Sequence, residues 1–307
     1  MKKYLKQLLS CLLLLLLCAG CGAEKGTETS SAAAASDIAE SAELSAQTQT
    51  EESGAHQLTI TALPVGKADA LLLQADGHAA MIDTGEQSDA AEILQALSQR
   101  GITELDLLII THFDKDHVGS AAAIVEAVPV SCVRYPDYVG TRDEYDAFME
   151  SIADHPNASP VTAVTKLTLG TAELTIYPAE DPEELLQRDG EQDNDLSLVT
   201  RLQYGSCSFL FCGDIEKARI DQMLETDTDW SCDWIKMPHH GVYQKALKDL
   251  LEAAQPAYAV ITASEEDPAE EKTLKALEKA AAEVYDTTAG TVITTCDGET
   301  IEIQTES

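Results

Sequence analysis

The chain has 307 residues, in which 54 Asp and Glu outweigh 20 Lys and Arg to give a formal net charge of −34. So acidic a surface repels polyanions at long range, which argues against tight, non-specific binding of nucleic acid. Beyond the amino-terminal segments, roughly 250 residues remain, a length that suits one domain.

The amino terminus has the pattern of an export signal. Residues 1–6 are basic, and residues 8–17 form an apolar run that is too short for a permanent membrane helix. The run ends in Cys-Ala-Gly-Cys, which resembles a bacterial lipobox and implies lipidation of Cys21. We therefore expect a signal peptide over residues 1–20 and a lipoprotein on the extracytoplasmic face of the bacterial cell membrane. An ordinary cleaved signal is the alternative.

Residues 21–56 consist mainly of Ala, Ser, Thr, Glu and Gln. They cannot bury enough apolar surface to offset their chain entropy, so a flexible tether is expected before a domain over residues 57–307. The five cysteines of that domain are odd in number and form no CxxC pair. Buried thiols are therefore expected rather than a disulfide framework, with one disulfide left open.

Apolar runs separated by turn residues predict an alternation of short strands and amphipathic helices in the domain. Strands are predicted at residues 58–63, 70–74, 79–83, 105–110, 131–135, 174–177, 206–212, 234–237, 257–262, 284–285, 291–295 and 300–303. Helices are predicted at residues 89–100, 120–127, 143–152, 215–224, 247–253 and 270–281. Residues 193–199 are predicted to open a strand that pairs with 206–212, and Asp297-Gly298 to form a hairpin turn.

A segment rich in potential metal ligands follows the strand that ends at residue 110. This segment, residues 111–119, is called the metal loop below, and it contains His112, Asp114, Asp116 and His117. A hydrolytic metal site needs several deprotonated nitrogen or oxygen ligands that face one point, with a position left open for water. Helix capping by Asp116 is the structural alternative.

The metal loop resembles the HxHxDH signature of the metallo-β-lactamase superfamily, with Asp114 where the family usually has a second His. Three further motifs fit the same superfamily: Asp83 in Asp-Thr-Gly, Asp214 in Gly-Asp, and the His239-His240 pair. The resemblance implies an α/β fold, an αββα four-layer sandwich of two mixed β-sheets flanked by helices. It also implies a metal-dependent hydrolase.

The resemblance implies one or two divalent metal ions, with zinc favoured and manganese the alternative at an oxygen-rich position. It assigns one ion to Asp116, His117, Asp214 and His239, and a weaker second ion to His112, Asp114 and Asp214. Asp116 and His240 are the expected catalytic residues, with His240 facing the substrate and able to give a proton to the leaving group. The reverse assignment of His239 and His240 stays open.

Residues 65–70 and 194–199 resemble the soluble domain of ComEC-type competence proteins. The superfamily resemblance implies that Asp83 lies behind the ligands and holds a metal-bound His by its second nitrogen. Asp69 is expected either behind the ligands or near the substrate. Asn194 stands where other superfamily members have a ligand His.

Val242 and Asp267 stand where ComEC-type domains have Ser and His, so the metal motifs persist while the substrate contacts differ. We therefore expect an exported, lipid-anchored, monomeric metal-dependent hydrolase of the phosphodiesterase or nuclease type. Its substrate would be a small anionic ester or phosphodiester, with nucleic acid disfavoured by the acidic charge. The alternative is a non-catalytic lipoprotein binding module with a degenerate metal site.

Overall fold

A computed structural model of the protein describes residues 57–186 and 192–307. The predicted signal peptide, the predicted lipidation site Cys21 and the predicted tether lie outside these described residues. Within the described ranges, no helix has the length and apolar character needed to span a bilayer.

The described residues contain fifteen strands and nine α-helices. The strands are β1 Leu58–Ala62, β2 Leu71–Ala75, β3 His78–Ile82, β4 Leu107–Ile109, β5 Val133–Pro136, β6 Ala158–Val161, β7 Thr165–Leu169, β8 Ala172–Tyr177, β9 Val199–Tyr204, β10 Cys207–Phe211, β11 Trp234–Lys236, β12 Tyr258–Ile261, β13 Glu283–Asp286, β14 Thr291–Cys296 and β15 Ile301–Glu306. The helices are α1 Ala90–Gln99, α2 Lys115–Val118, α3 Ala121–Ala127, α4 Asp143–Ser151, α5 Pro182–Leu186, α6 Gln192–Asp195, α7 Lys217–Leu224, α8 Leu247–Ala254 and α9 Glu271–Ala280.

The strands form two mixed sheets. The first has eight strands in the order β15-β14-β1-β2-β3-β4-β5-β6, and the second has seven in the order β13-β12-β11-β10-β9-β8-β7. In each sheet a parallel block, β3 to β6 or β10 to β13, continues into antiparallel strands. The predicted hairpins β9–β10 and β14–β15 are present.

Three hydrophobic cores separate four layers. The core between the sheets contains Leu73 and Ile109 from the first sheet and Phe211 from the second. Leu72 and Leu108 point the other way, into a core under α1, α3 and α4, because successive side chains of a strand face opposite sides. A third core packs α7, α8 and α9 on the second sheet. The predicted αββα sandwich is therefore confirmed.

One predicted strand starts later than expected. Residues 193–195 belong to the short helix α6, and strand β9 begins only at Val199. The reason is a tertiary contact: Oδ1 of Asp195 accepts hydrogen bonds from the backbone N–H groups of Glu216 and Arg219, at 2.9 and 3.0 Å. The carboxylate thus satisfies free N–H groups at the start of α7, and residue 195 does not join the sheet.

The five cysteines of the described domain are free, and four of them are buried, as predicted. Burial raises the pKa of the Cys212 thiol to about 12, which keeps the thiol protonated and unreactive at neutral pH.

Both sheets bring polar side chains to one edge of the sandwich. Asp83 and His112 follow the carboxyl ends of the parallel strands β3 and β4, whereas Asp214 and His240 follow those of β10 and β11. Ligand sites in α/β folds commonly lie beyond the carboxyl ends of parallel strands.

Candidate metal centre

Four acidic and imidazole side chains converge at this edge. The ligand atoms of Asp116, His117, Asp214 and His240 all lie within 4.8 Å of one another. Nε2 of His117 and Nε2 of His240 lie 3.3 and 3.1 Å from Oδ2 of Asp214, and Nε2 of His240 lies 3.4 Å from Oδ2 of Asp116. The metal loop of the first sheet thus supplies two of the four side chains, and the second sheet supplies the other two.

The far nitrogen of each clustered imidazole is held by the protein. Nδ1 of His117 lies 2.9 Å from Oδ2 of Asp83, and Nδ1 of His240 lies 3.1 Å from the carbonyl oxygen of Thr262. Asp83 is fixed in turn, because Thr111 donates to it from its backbone N–H at 2.7 Å and from its hydroxyl at 2.6 Å. Holding Nδ1 directs Nε2 into the cluster, as in metal-binding histidines.

A second set of donors lies beside the first. His112 is fully buried, with Nδ1 3.1 Å from the hydroxyl of Thr111 and Nε2 3.9 Å from Oδ2 of Asp114. Within the described residues, Nε2 of His112 has no hydrogen-bond partner. Since buried polar atoms are rarely left unpaired, a divalent cation would satisfy this nitrogen and neutralise the adjacent carboxylate. The residues present therefore fit a metal ion.

Asn194 is almost wholly buried, and its side-chain amide donates to Oε1 of Glu216 at 3.3 Å. It does not join the group of four converging ligands. The amide is thus turned towards the carboxylate that also lies 3.2 Å from Nδ1 of His239.

The two adjacent histidines take different positions. Nε2 of His239 lies 4.0 Å from Oδ2 of Asp214, and its Nδ1 lies 3.2 Å from Oε1 of Glu216. His240, not His239, belongs to the converging group. This geometry favours His240 as the ligand, which is the alternative that the sequence left open, over the preferred assignment of His239 as ligand and His240 facing the substrate.

The backbone conformation of this turn explains why the two histidine rings take different positions. His239 has φ 49° and ψ 47°, and His240 has φ 52° and ψ 26°, both in the left-handed region. Consecutive left-handed residues direct the two rings apart, with their centroids separated by 6.2 Å. Non-glycine residues in this conformation carry strain, which concentrates at functional sites.

Lys236 is a site residue that sequence reasoning missed. It is fully buried, its ammonium pairs with Asp69, and Nζ lies 3.5 Å from Oδ1 of Asp214. Asp69, also buried, accepts a hydrogen bond of 2.6 Å from the hydroxyl of Thr262. The available signal was a lysine in an otherwise apolar strand just before the histidine pair, because lysines are rarely buried unless paired.

The pKa values of the candidate ligands are shifted in different directions by burial and by neighbouring charges. Burial, reinforced by the nearby His117, holds the pKa of His112 well below its usual range, so this imidazole is neutral at pH 7. Burial opposes the charged form of Asp214, but His117 and His240 outweigh it and hold its pKa well below the usual range. Burial likewise opposes the charge of Asp116, yet the hydrogen bond to His240 and the charge of His117 lower its pKa. Both carboxylates are therefore ionised at neutral pH.

Comparison with known proteins agrees with this geometry. The profile of the metallo-beta-lactamase superfamily matches residues 63–264, which include the metal loop, Asp214 and His240. The chain belongs to the metallo-β-lactamase superfamily. The family and the Asp and His cluster together indicate a site for divalent metal.

Two curated relatives resemble the chain. It is 24% identical over 172 residues to ComE operon protein 3 of Bacillus subtilis, covering 56% of this chain and 21% of that protein. It is 26% identical over 221 residues to Recombination protein 2 of Haemophilus influenzae, covering 68% of this chain and 24% of that protein. The chain thus spans about a quarter or less of their length. The predicted resemblance to ComEC-type proteins is confirmed.

Among solved structures, the metallo-beta-lactamase fold protein YhfI from Bacillus subtilis aligns with a TM-score of 0.51 and 12% sequence identity. The alignment covers 80% of this chain and 100% of that chain. At this identity the match supports the fold alone.

Proposed function

We propose that the protein is an exported, lipid-anchored hydrolase that uses one or two divalent metal ions to cleave a phosphodiester or a related anionic ester. The observation that carries the proposal is the convergence of Asp116, His117, Asp214 and His240 on one point, with both carboxylates ionised. The superfamily membership supports the same chemistry.

The same four residues would hold the first ion, and His112 and Asp114, with Asp214 shared, would hold a weaker second one. Imidazole nitrogen favours zinc, whereas the carboxylate of Asp114 makes manganese the alternative at the second position. When bound, such ions polarise an ester oxygen and lower the pKa of a coordinated water towards 7.

The chain's own residues supply positioning and a proton. Asp83 and Thr262 hold the two clustered imidazoles by their outer nitrogens. His239 is 16% exposed beside the cluster, and Oε1 of Glu216 lies 3.2 Å from its Nδ1. We therefore assign to His239 the role that the sequence had given to His240, the donation of a proton to the leaving group.

The test is hydrolysis of bis-p-nitrophenyl phosphate by protein that has been stripped of metal and refilled with zinc or manganese. We expect turnover that returns with metal in the wild type and is absent in Asp214→Asn and His117→Ala, with the fold retained by circular dichroism. Asp229→Asn is the matched control, because Asp229 is an exposed aspartate outside the site. Stoichiometric metal binding without turnover of a phosphodiester, a carboxylic ester or a lactam would favour a non-catalytic binding module.

A further inference from the structure

The segment between β5 and α4, residues 137–142, touches the metal loop at two points and is called the mouth loop. The hydroxyl of Tyr138 accepts a hydrogen bond of 2.8 Å from the backbone N–H of Phe113. At the other end, Nη2 of Arg142 lies 3.2 Å from Oδ1 of Asp114. The mouth loop is therefore fixed directly to the residues that carry the ligands.

The conformation of the mouth loop is set by packing. The ring of Tyr138 lies on Phe113 with centroids 4.8 Å apart. Gly140 sits against the ring of Tyr145, where an added Cβ would come within 2.6 Å. A loop held in this way keeps Arg142 beside the metal centre without a folding step on binding, which is the preorganisation that a recognition residue needs.

Arg142 is suited to bind an anion. Its side chain is 51% exposed, and within the described residues its one hydrogen bond is to Asp114. A guanidinium carries five N–H donors in a planar fork that matches phosphate oxygens in pairs. Most of these donors therefore remain available beside Asp114.

The charge around the centre leaves few cationic side chains for an anionic substrate. Asp114, Asp116 and Asp214 lie within or beside the cluster, and their negative charges would offset much of the positive charge of bound cations. Lys236 is fully buried and paired, so it cannot reach a substrate. Lys115 is exposed, but its ammonium is engaged at 2.6 Å by the carboxylate of Glu86.

We propose that Arg142 is a specificity-determining residue that binds a non-bridging oxygen of the substrate, so that the site selects singly charged phosphodiesters over neutral esters. This inference rests on the proposed function and names its substrate class. Asp114 orients the guanidinium from behind, and the exposed edge of the fork receives the anion. Because charge-assisted hydrogen bonds are roughly twice as strong as neutral ones, the contact discriminates by charge.

The first test is direct binding of inorganic phosphate to the zinc-loaded protein by isothermal titration calorimetry. We expect Arg142→Gln to weaken phosphate binding by about 10-fold to 100-fold, and Arg142→Lys to restore part of it. Lys166→Gln is the matched control, because it removes one positive charge from the exposed edge strand β7 and should leave binding unchanged. Wild-type protein that binds no phosphate, or Arg142→Gln that binds it equally well, would overturn the inference.

The second test separates recognition from support of the metal. Arg142→Gln should raise KM for bis-p-nitrophenyl phosphate more than it lowers kcat, leave hydrolysis of p-nitrophenyl acetate unchanged, and retain zinc affinity. Loss of zinc affinity together with phosphate binding would show that Arg142 merely supports Asp114, and would refute the inference. If the wild type hydrolyses neither ester while phosphate binding still depends on Arg142, the proposed function fails and the anion site stands.

Discussion

Nδ1 of His117 lies 2.9 Å from Oδ2 of Asp83, and neither side chain has measurable exposure to solvent. The Asp83 carboxylate is itself fixed by two hydrogen bonds from Thr111, at the start of the metal loop. The imidazole is therefore oriented by the end of one strand and the beginning of the next loop, before any metal arrives.

Asp83→Asn tests this relationship. The amide keeps the size of the side chain but removes the charge that favours an Nδ1–H tautomer, so we expect zinc affinity to fall by about 10-fold to 100-fold. Asp106→Asn is a matched control, because Asp106 forms another aspartate–histidine pair, 3.0 Å from His78 and remote from the site. Zinc competition with a chromophoric chelator measures both variants, and equal affinities would contradict the assigned role.

Lys236→Met tests the buried cation. The substitution leaves the buried Asp69 without its ammonium partner and removes one of the positive charges beside Asp214, which should lower the free energy of unfolding by about 3 to 5 kcal/mol. The exposed pair of Lys217 with Asp221 provides the comparison, and Lys217→Met should cost at most about 0.5 kcal/mol. Urea denaturation of the metal-free proteins gives both values. If Lys236→Met lowers the free energy of unfolding no more than Lys217→Met does, the structural role of Lys236 is refuted.

His239→Gly and His239→Ala separate the strained backbone from the side chain. Both remove the imidazole, but only glycine relieves the left-handed conformation, so the glycine variant should unfold with a free energy about 1 kcal/mol higher than the alanine variant. The same two substitutions at Lys275, inside helix α9, serve as the control. There the alanine variant should have the higher free energy of unfolding, by about 1 kcal/mol. Thermal or urea denaturation measures the free energy of unfolding of each variant. A more stable alanine variant at position 239 would contradict backbone strain at this residue.

Zinc binding should release protons and strengthen as pH rises. Burial lowers the pKa of His240 and His117, but Asp214 outweighs burial, so both pKa values lie above the ordinary 6.5 and the metal-free imidazoles hold protons near neutral pH. Their charged forms stabilise the metal-free fold below pH 6.5, and this contribution is lost as pH rises through the raised pKa values. Binding heats at about pH 7 should therefore change with the ionisation enthalpy of the buffer. Heats independent of the buffer would contradict the raised pKa values.

Lipidation of Cys21 is testable in the intact cell. Cys21→Ser should abolish incorporation of labelled palmitate and move the protein from the detergent phase to the aqueous phase in Triton X-114 partitioning. Cys11→Ser, in the apolar run outside the Cys-Ala-Gly-Cys motif, should leave both properties unchanged. A wild type that takes up no label would point to an ordinary cleaved signal, and labelling that persists in Cys21→Ser would contradict Cys21 as the lipidated residue.

The metal loop could be predicted because its information is local. His112, Asp114, Asp116 and His117 lie within six residues, between an apolar run and an alanine-rich run, and no distant partner is needed to recognise them. The sandwich could be predicted for a related reason, since alternating strand and helix patterns repeat along the chain.

The remaining features depend on contacts that a single sequence does not display. Which of His239 and His240 faces the other ligands depends on two left-handed backbone conformations. Two adjacent histidines in a sequence do not predict such conformations. The partners Asp69 and Thr262 are 193 positions apart, and Lys236 meets Asp69 only after both sheets have formed. These groups belong to opposite sheets, so local patterns carried no information on their pairing.

The two sheets each contribute half of the converging ligands, and this division links the metal centre to the interior. The position of one half relative to the other depends on the spacing of the sheets, roughly 10 Å, which is set by the thickness of side chains such as Ile109 and Phe211. A conservative repacking of that interior would shift Asp214 and His240 relative to the metal loop without altering a single ligand. The spacing of the ligands, and with it the ion that they fit, therefore depends in part on residues that contact no metal.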